Sequence, residues 1–193
     1  MNLTEKQGQA LVQLAYNTIS KHLGKQPDEE LCNTLEQSLQ NPVFSQVAGT
    51  FVCLKKNQQL RGCIGNLISE NSIAEGVRSN AINAALNDYR FKELTRDELE
   101  EIDVEVSVLT PPQKITYSDW HDLVSKLRVG IDGVILRKGA MSATFLPQVW
   151  HQLPLVESFL SQLCLKAGLS SEAWKTEPLE IEIYQVQSFS RSY

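Results

Sequence analysis

The chain has 193 residues, room for one domain or two small lobes, and its 42% hydrophobic and 21% charged content is that of a folded globular protein. A formal net charge of −5, from 18 Lys+Arg against 23 Asp+Glu, argues against nucleic-acid backbone binding, which needs a basic face. No apolar run approaches the ~20 residues that span a bilayer, and Met1 to Lys6 shows neither the basic start nor the apolar stretch of a signal peptide, so a cytoplasmic, non-membrane location is expected.

Thr4 and Gln7 form a capping box, and Leu11, Leu14, Ala15 and Ile19 follow at helical spacing up to Gly24, which predicts a helix over 5–22. A second short helix is expected after Pro27, with Leu31, Leu35 and Leu39 on one stripe and Pro42 beyond its end. Val47 to Leu54 reads as a buried strand, Asn57 as a turn, and Leu60 to Ile64 as the hairpin partner. Ser72 and Glu75 open a helix over 73–87 whose stripe, Ile73, Val77, Ala81, Ala84 and Ala85, is small enough to let it lie close to a sheet. A third capping box, Thr95 with Glu98, opens a turn or two, and Ile102 to Leu109 alternates apolar and polar as a half-buried strand does, ending at Pro111 and Pro112. In the second half, 119–127 reads as a helix, and 133–137 and 141–146 flank Lys138-Gly139 as a hairpin. Pro154 starts a helix that bears Val156, Phe159, Leu160, Leu163 and Cys164 and closes at Gly168, and 179–183 is a last alternating strand. Hairpins outnumber βαβ units, so the expected class is α+β, built mainly on antiparallel sheet packed by helices.

Cys32, Cys53, Cys63 and Cys164 form no C-x-x-C, and His22, His121 and His151 form no ligand pair at metal-binding spacing, so no metal is expected. Neither a P-loop nor a G-x-G-x-x-G motif is present, and no cofactor is expected.

Leu60-Arg61-Gly62-Cys63-Ile64-Gly65 is the least generic stretch. As a regular strand it would set Arg61, Cys63 and Gly65 on one face, and two glycines in a strand ask for a close helix, a bulge or a ligand. A guanidinium beside a thiol favours the reactive thiolate, which singles out Cys63 as a nucleophile; the plainer reading is a packed Cys63, an ion-paired Arg61 and glycines that serve helix packing. A two-residue turn at Asn57-Gln58 would set Cys53 opposite Gly62 and turn Cys53 and Cys63 to opposite faces, where they cannot bridge; a three-residue loop would set them opposite each other. The even loop is favoured. Asp88 and Arg90 either anchor the end of the preceding helix or complete a charged site with Arg61, and Glu105, on the polar face of the 102–109 strand, is a candidate general base or a neutraliser of an arginine. His151 is the histidine best placed for a Cys–His pair, although a surface histidine is the commoner outcome.

The hexapeptide resembles the signature of the AMMECR domain family, in the bacterial and archaeal branch called AmmeMemoRadiSam system protein A. Ala81 to Phe91 is similar to the family's A-x-x-A-A-x-x-D-x-R-F segment, Ile102 to Thr110 to its V-E-V-S-V-L-T strand, and Gly130 to Ile135 to its glycine-aspartate-glycine hairpin. Thr144 to Trp150 and Leu165 to Trp174 resemble its C-terminal blocks, so the resemblance spans roughly residues 6–186; Tyr89 departs from it, standing where many members carry proline. The resemblance implies a single AMMECR-like domain over 1–193, with a larger lobe over about 1–110 that holds the hexapeptide. A smaller hairpin and helix lobe over about 111–193 follows, its final strand able to return to the first. It also implies two partners, a Memo-like protein and a radical SAM protein, but supplies no established activity and no agreed catalytic residues.

Two functional readings follow. In the first, an enzyme or enzyme component binds a small anionic substrate or side chain in a cleft between the lobes, held by Arg61, Gly62, Gly65, Asp88 and Arg90, with Cys63 and Glu105 catalytic. In the second, the chain is a non-catalytic scaffold for those partners and the hexapeptide is structural. Nucleic-acid binding is a weak third, because the basic residues, Lys55-Lys56 among them, are scattered along an acidic chain.

Overall fold

The computed structural model describes residues 2–26 and 28–190; Pro27, named above as preceding the second helix, lies outside them. The element order is α1 (Glu5–His22), α2 (Glu29–Leu39), β1 (Thr50–Lys56), β2 (Gln59–Asn66), α3 (Ile73–Leu86), β3 (Ile102–Leu109), β4 (Gln113–Ile115), α4 (Trp120–Lys126), β5 (Gly133–Lys138), β6 (Met141–Phe145), α5 (Val156–Lys166), α6 (Ala173–Thr176), β7 (Glu180–Tyr184) and β8 (Val186–Ser190). Helices combine with two antiparallel sheets, so the chain is α+β.

The contacts divide the chain into two compact units, the first reaching to Leu109 and resuming at Gln187, the second Thr110–Val186. In the first unit the sheet order is β2-β1-β3-β8. Val52 and Leu54 of β1 and Ile102, Val104, Val106 and Val108 of β3 turn to a core completed by Leu11, Ala15 and Ile19 of α1 and Val77, Ala81 and Ala84 of α3. The small stripe on α3 works as its composition predicts. A Cβ on Gly76 would meet the Thr50 hydroxyl at 2.7 Å, and buried Asn80 donates to the Thr50 carbonyl and hydroxyl at 2.9 Å each. In the second unit the sheet order is β4-β7-β5-β6, over a core built on Trp150, Phe159, Leu163 and Trp174. Asp132 of the glycine-aspartate-glycine turn is fully buried and held by the Arg128 guanidinium at 2.6 Å.

The structure departs from the sequence reading at the unexpected short helix α6 and in three further places. The first strand begins at Thr50 rather than Val47, which makes an isolated bridge to Ser72. Two short strands were not legible. β4 follows the proline pair directly, and β8 lies beyond the expected last strand and joins the first sheet.

The third departure corrects the hairpin register. The loop is the even one, Asn57 and Gln58 both having positive φ (52° and 63°), as a two-residue turn of the I′ type requires. Lys55 pairs with Leu60 but Leu54 pairs with Gly62, so Arg61 is an extra residue, a β-bulge. The bulge shifts every later pair by one. Cys53 therefore faces Cys63, not Gly62, and the two are joined as a disulfide with their Cα atoms 4.1 Å apart.

Candidate functional site

The bulge and its neighbours assign each hexapeptide residue a task. Arg61, lifted out of the strand alternation, sends its guanidinium to Glu98, with Nε to Oε1 and Nη2 to Oε2 both at 3.0 Å. It also donates to the Lys92 and Glu93 carbonyls at 2.7 and 3.2 Å, which fastens the loop after α3 to the sheet. Glu98 was legible only as a capping-box residue. It does accept from the Thr95 N–H at 3.1 Å, but its second partner is tertiary. The Arg61 guanidinium, helped by Thr95 and opposed by burial, holds the Glu98 carboxyl down to about 2. A Cβ on Gly62 would lie 2.1 Å from the Ala84 carbonyl oxygen of α3, and one on Gly65 would lie 2.2 Å from the Phe51 ring. Both glycines thus answer to packing, a close helix in one case and an aromatic ring in the other.

Asp88 and Arg90 act on the backbone of Cys63. β2 is an edge strand, and in an antiparallel ladder the close pairs are those whose N–H and C=O point away from the partner strand. Cys63 belongs to such a pair, so its peptide groups need other partners. Its N–H donates to Asp88 Oδ2 at 2.8 Å, and its carbonyl accepts from Arg90 Nη2 at 3.1 Å. Asp88, buried at the end of α3, also takes Arg90 Nε at 2.8 Å and Nη2 at 2.6 Å. The Arg90 guanidinium, with the Cys63 and Arg90 N–H groups adding to it against the cost of burial, holds the Asp88 carboxyl well below the usual carboxylate range. The two side chains do for the edge strand what a further strand would do.

Glu105 lies directly across β1 from the pair, since Cys53 faces Cys63 on one side and Glu105 on the other. Its carboxylate is tied to Lys55 at 2.9 Å. The predicted set is therefore brought together in part. Cys63, Asp88 and Arg90 meet at the β2 edge of the sheet, Glu105 lies two strands in on β3, and the Arg61 guanidinium is committed to Glu98. The expected thiolate beside Arg61 is replaced by a sulfur bonded to Cys53. His151 is exposed, at the end of a short 3₁₀ turn in the second unit. Among the described residues, no group of three His, Cys, Asp or Glu side chains is arranged to hold a metal ion. Nor is any helix long and apolar enough to cross a membrane. One hollow of about 540 Å³ is lined by residues including Thr4, Gln37 and Phe44, and another of about 530 Å³ by residues including Tyr117, Trp120 and Trp174. Neither is lined by any candidate residue.

The AMMECR1 family model matches residues 12–189, which takes in both units and the hexapeptide. The chain belongs to the AMMECR1 family. Relatives of this AMMECR1-family chain include a protein of Methanosarcina mazei, 38% identical over 97% of this chain and 92% of its own length. One from Methanopyrus kandleri is 38% identical over 97% of this chain and 89% of its own. The crystal structure of an uncharacterised protein from Pyrococcus horikoshii superposes with a TM-score of 0.79 at 32% identity, covering 99% of this chain and 94% of that one. Neither the relatives' names nor that structure's title states an activity.

Proposed function

We propose that this AMMECR1-family chain is a non-catalytic interaction subunit that engages a Memo-like protein and a radical SAM protein through the sheet edge around β2. The partners come from the resemblance of the hexapeptide and its companion blocks to the AmmeMemoRadiSam system protein A branch. Tyr89 carries the reading. It stands between Asp88 and Arg90, whose side chains are locked onto Cys63, and the residue is itself 94% exposed. An aromatic held on a rigid frame loses little entropy on binding and is the type of residue that anchors interfaces. Leu60 on the same strand and Ile68 just beyond it are also exposed. The charged groups that a small anionic substrate would need are already taken, Arg61 by Glu98 and Arg90 by Asp88.

Co-expression with a Memo-like protein and a radical SAM protein, followed by quantitative binding, tests this. Tyr89→Ala should weaken association by about 2 kcal/mol or more, roughly 30-fold, with an unchanged melting temperature. Binding equal to the parent would overturn the reading. So would a Cys63-dependent product formed by the chain alone.

A further inference from the structure

The face of the first sheet turned away from α1 and α3 carries a feature that an interaction role leaves unused. Val52 and Leu54 turn inward from β1, so Phe51, Cys53 and Lys55 turn outward and are half-buried, as is Cys63 opposite. The register that opposes Cys53 to Cys63 does not depend on the sulfur–sulfur bond. It is imposed by the Asn57-Gln58 turn, the bulge at Arg61, the seating of Gly62 on Ala84 and the grip of Asp88 and Arg90 on the Cys63 peptide groups. Opening the bond therefore leaves the two sulfurs in place, and both cysteines are only partly buried, as exchange with a small thiol requires. Cys32 and Cys164, the other two cysteines, are free.

From this geometry we propose that Cys53 and Cys63 are a redox-active pair that opens and closes by thiol–disulfide exchange with low-molecular-weight monothiols, without unfolding of the hairpin. A small thiolate attacks one sulfur, the Cys53–Cys63 bond breaks, and the displaced cysteine leaves as a thiolate that takes a proton from water. A second small thiolate then displaces the remaining cysteine from the mixed disulfide. In sum, two monothiols give up two electrons and become one disulfide, while the protein gains two thiols.

The test equilibrates the folded chain in glutathione buffers of varied reduced-to-oxidised ratio, quenches with a maleimide and counts label on each cysteine by peptide mass. Cys53 and Cys63 should change together, passing from one-tenth to nine-tenths labelled over an about 100-fold range of [GSH]²/[GSSG]. Cys32 and Cys164 are the internal reference and are read separately. Circular dichroism should stay constant across that range. A pair that stays oxidised in reduced glutathione until denaturant is added is a structural crosslink and overturns the proposal, as does a pair that stays as two thiols in oxidised glutathione. Cys53→Ser supplies a second measurement: Cys63 should then take up one glutathione, and a Cys63 left unmodified in that folded variant would show that its sulfur cannot be reached. The exchange is measured on the chain alone with no partner protein present, so the interaction reading and this one fail separately.

Discussion

Arg61 and Glu98 grip each other through two hydrogen bonds, and that grip sets a pH dependence. The folded Glu98 carboxyl sits at about 2, below its ordinary value, so the pair stabilises the fold fully above about pH 5. The contribution is lost as pH falls toward 2, because the unfolded chain takes up the proton first. Arg61→Met keeps the aliphatic stem and removes the charge. It should cost about 2–3 kcal/mol at neutral pH in urea unfolding, and its stability should fall less steeply than the parent's between pH 5 and 3. An equal acid slope in both proteins would show that Glu98 is not held by Arg61. Gly62 makes a second prediction at this scale. Gly62→Ala drives a methyl against a backbone carbonyl of α3 that cannot swing aside, and should cost about 1–3 kcal/mol although alanine is the better strand former.

Among the secondary-structure elements, β2 is the vulnerable one, an edge strand whose outward peptide groups are satisfied at Cys63 by side chains from the end of α3. Asp88→Asn keeps the shape but removes the charge from a buried position facing Arg90. The expected cost is about 3 kcal/mol, and amide exchange at Cys63 should quicken by about 100-fold if the hairpin opens locally. Unchanged exchange at Cys63 would mean that the strand is held by its ladder to β1 alone. Gly62 and the bulge belong to the same device, since the bare backbone at Gly62 lets α3 come close enough for the residues at its C-terminal end to reach the strand edge.

For the molecule as a whole, the two units have cores that share no residue, and all three tryptophans, Trp120, Trp150 and Trp174, belong to the second. Leu54→Ala in the first core should cost about 2–5 kcal/mol. Its unfolding midpoint should fall further by far-ultraviolet circular dichroism than by tryptophan fluorescence. Equal shifts in both signals would show that the units unfold as one. Residues before Leu109 and after Gln187 meet in the first unit, where the Leu3 N–H donates to the Gln187 side chain at 2.8 Å and the Ser107 and Ser188 hydroxyls lie 2.8 Å apart.

Local rules were enough for much of this chain. Capping boxes at Thr4 and Ser72, the alternation of 102–109 and the small stripe of α3 were legible because each is written in neighbouring residues whose geometry repeats every 3.6 or 2 positions. The family could be read from the hexapeptide and its companion blocks, whereas the roles inside the hexapeptide could not. The turn at Asn57-Gln58 was read correctly and still gave the wrong pairing, because one bulged residue downstream reverses which face each later side chain takes. Nothing local marks Arg61 as that residue, since the partner that draws it out, Glu98, lies 37 positions away. Likewise Asp88 and Arg90 are legible as charges near a helix end, but their target is a peptide group that becomes available only once β2 lies at the edge of a sheet. Periodicity along the chain therefore determined which segments became helix or strand. Long-range packing decided where Cys63 points and what it meets, because register depends on contacts between residues that the sequence keeps far apart.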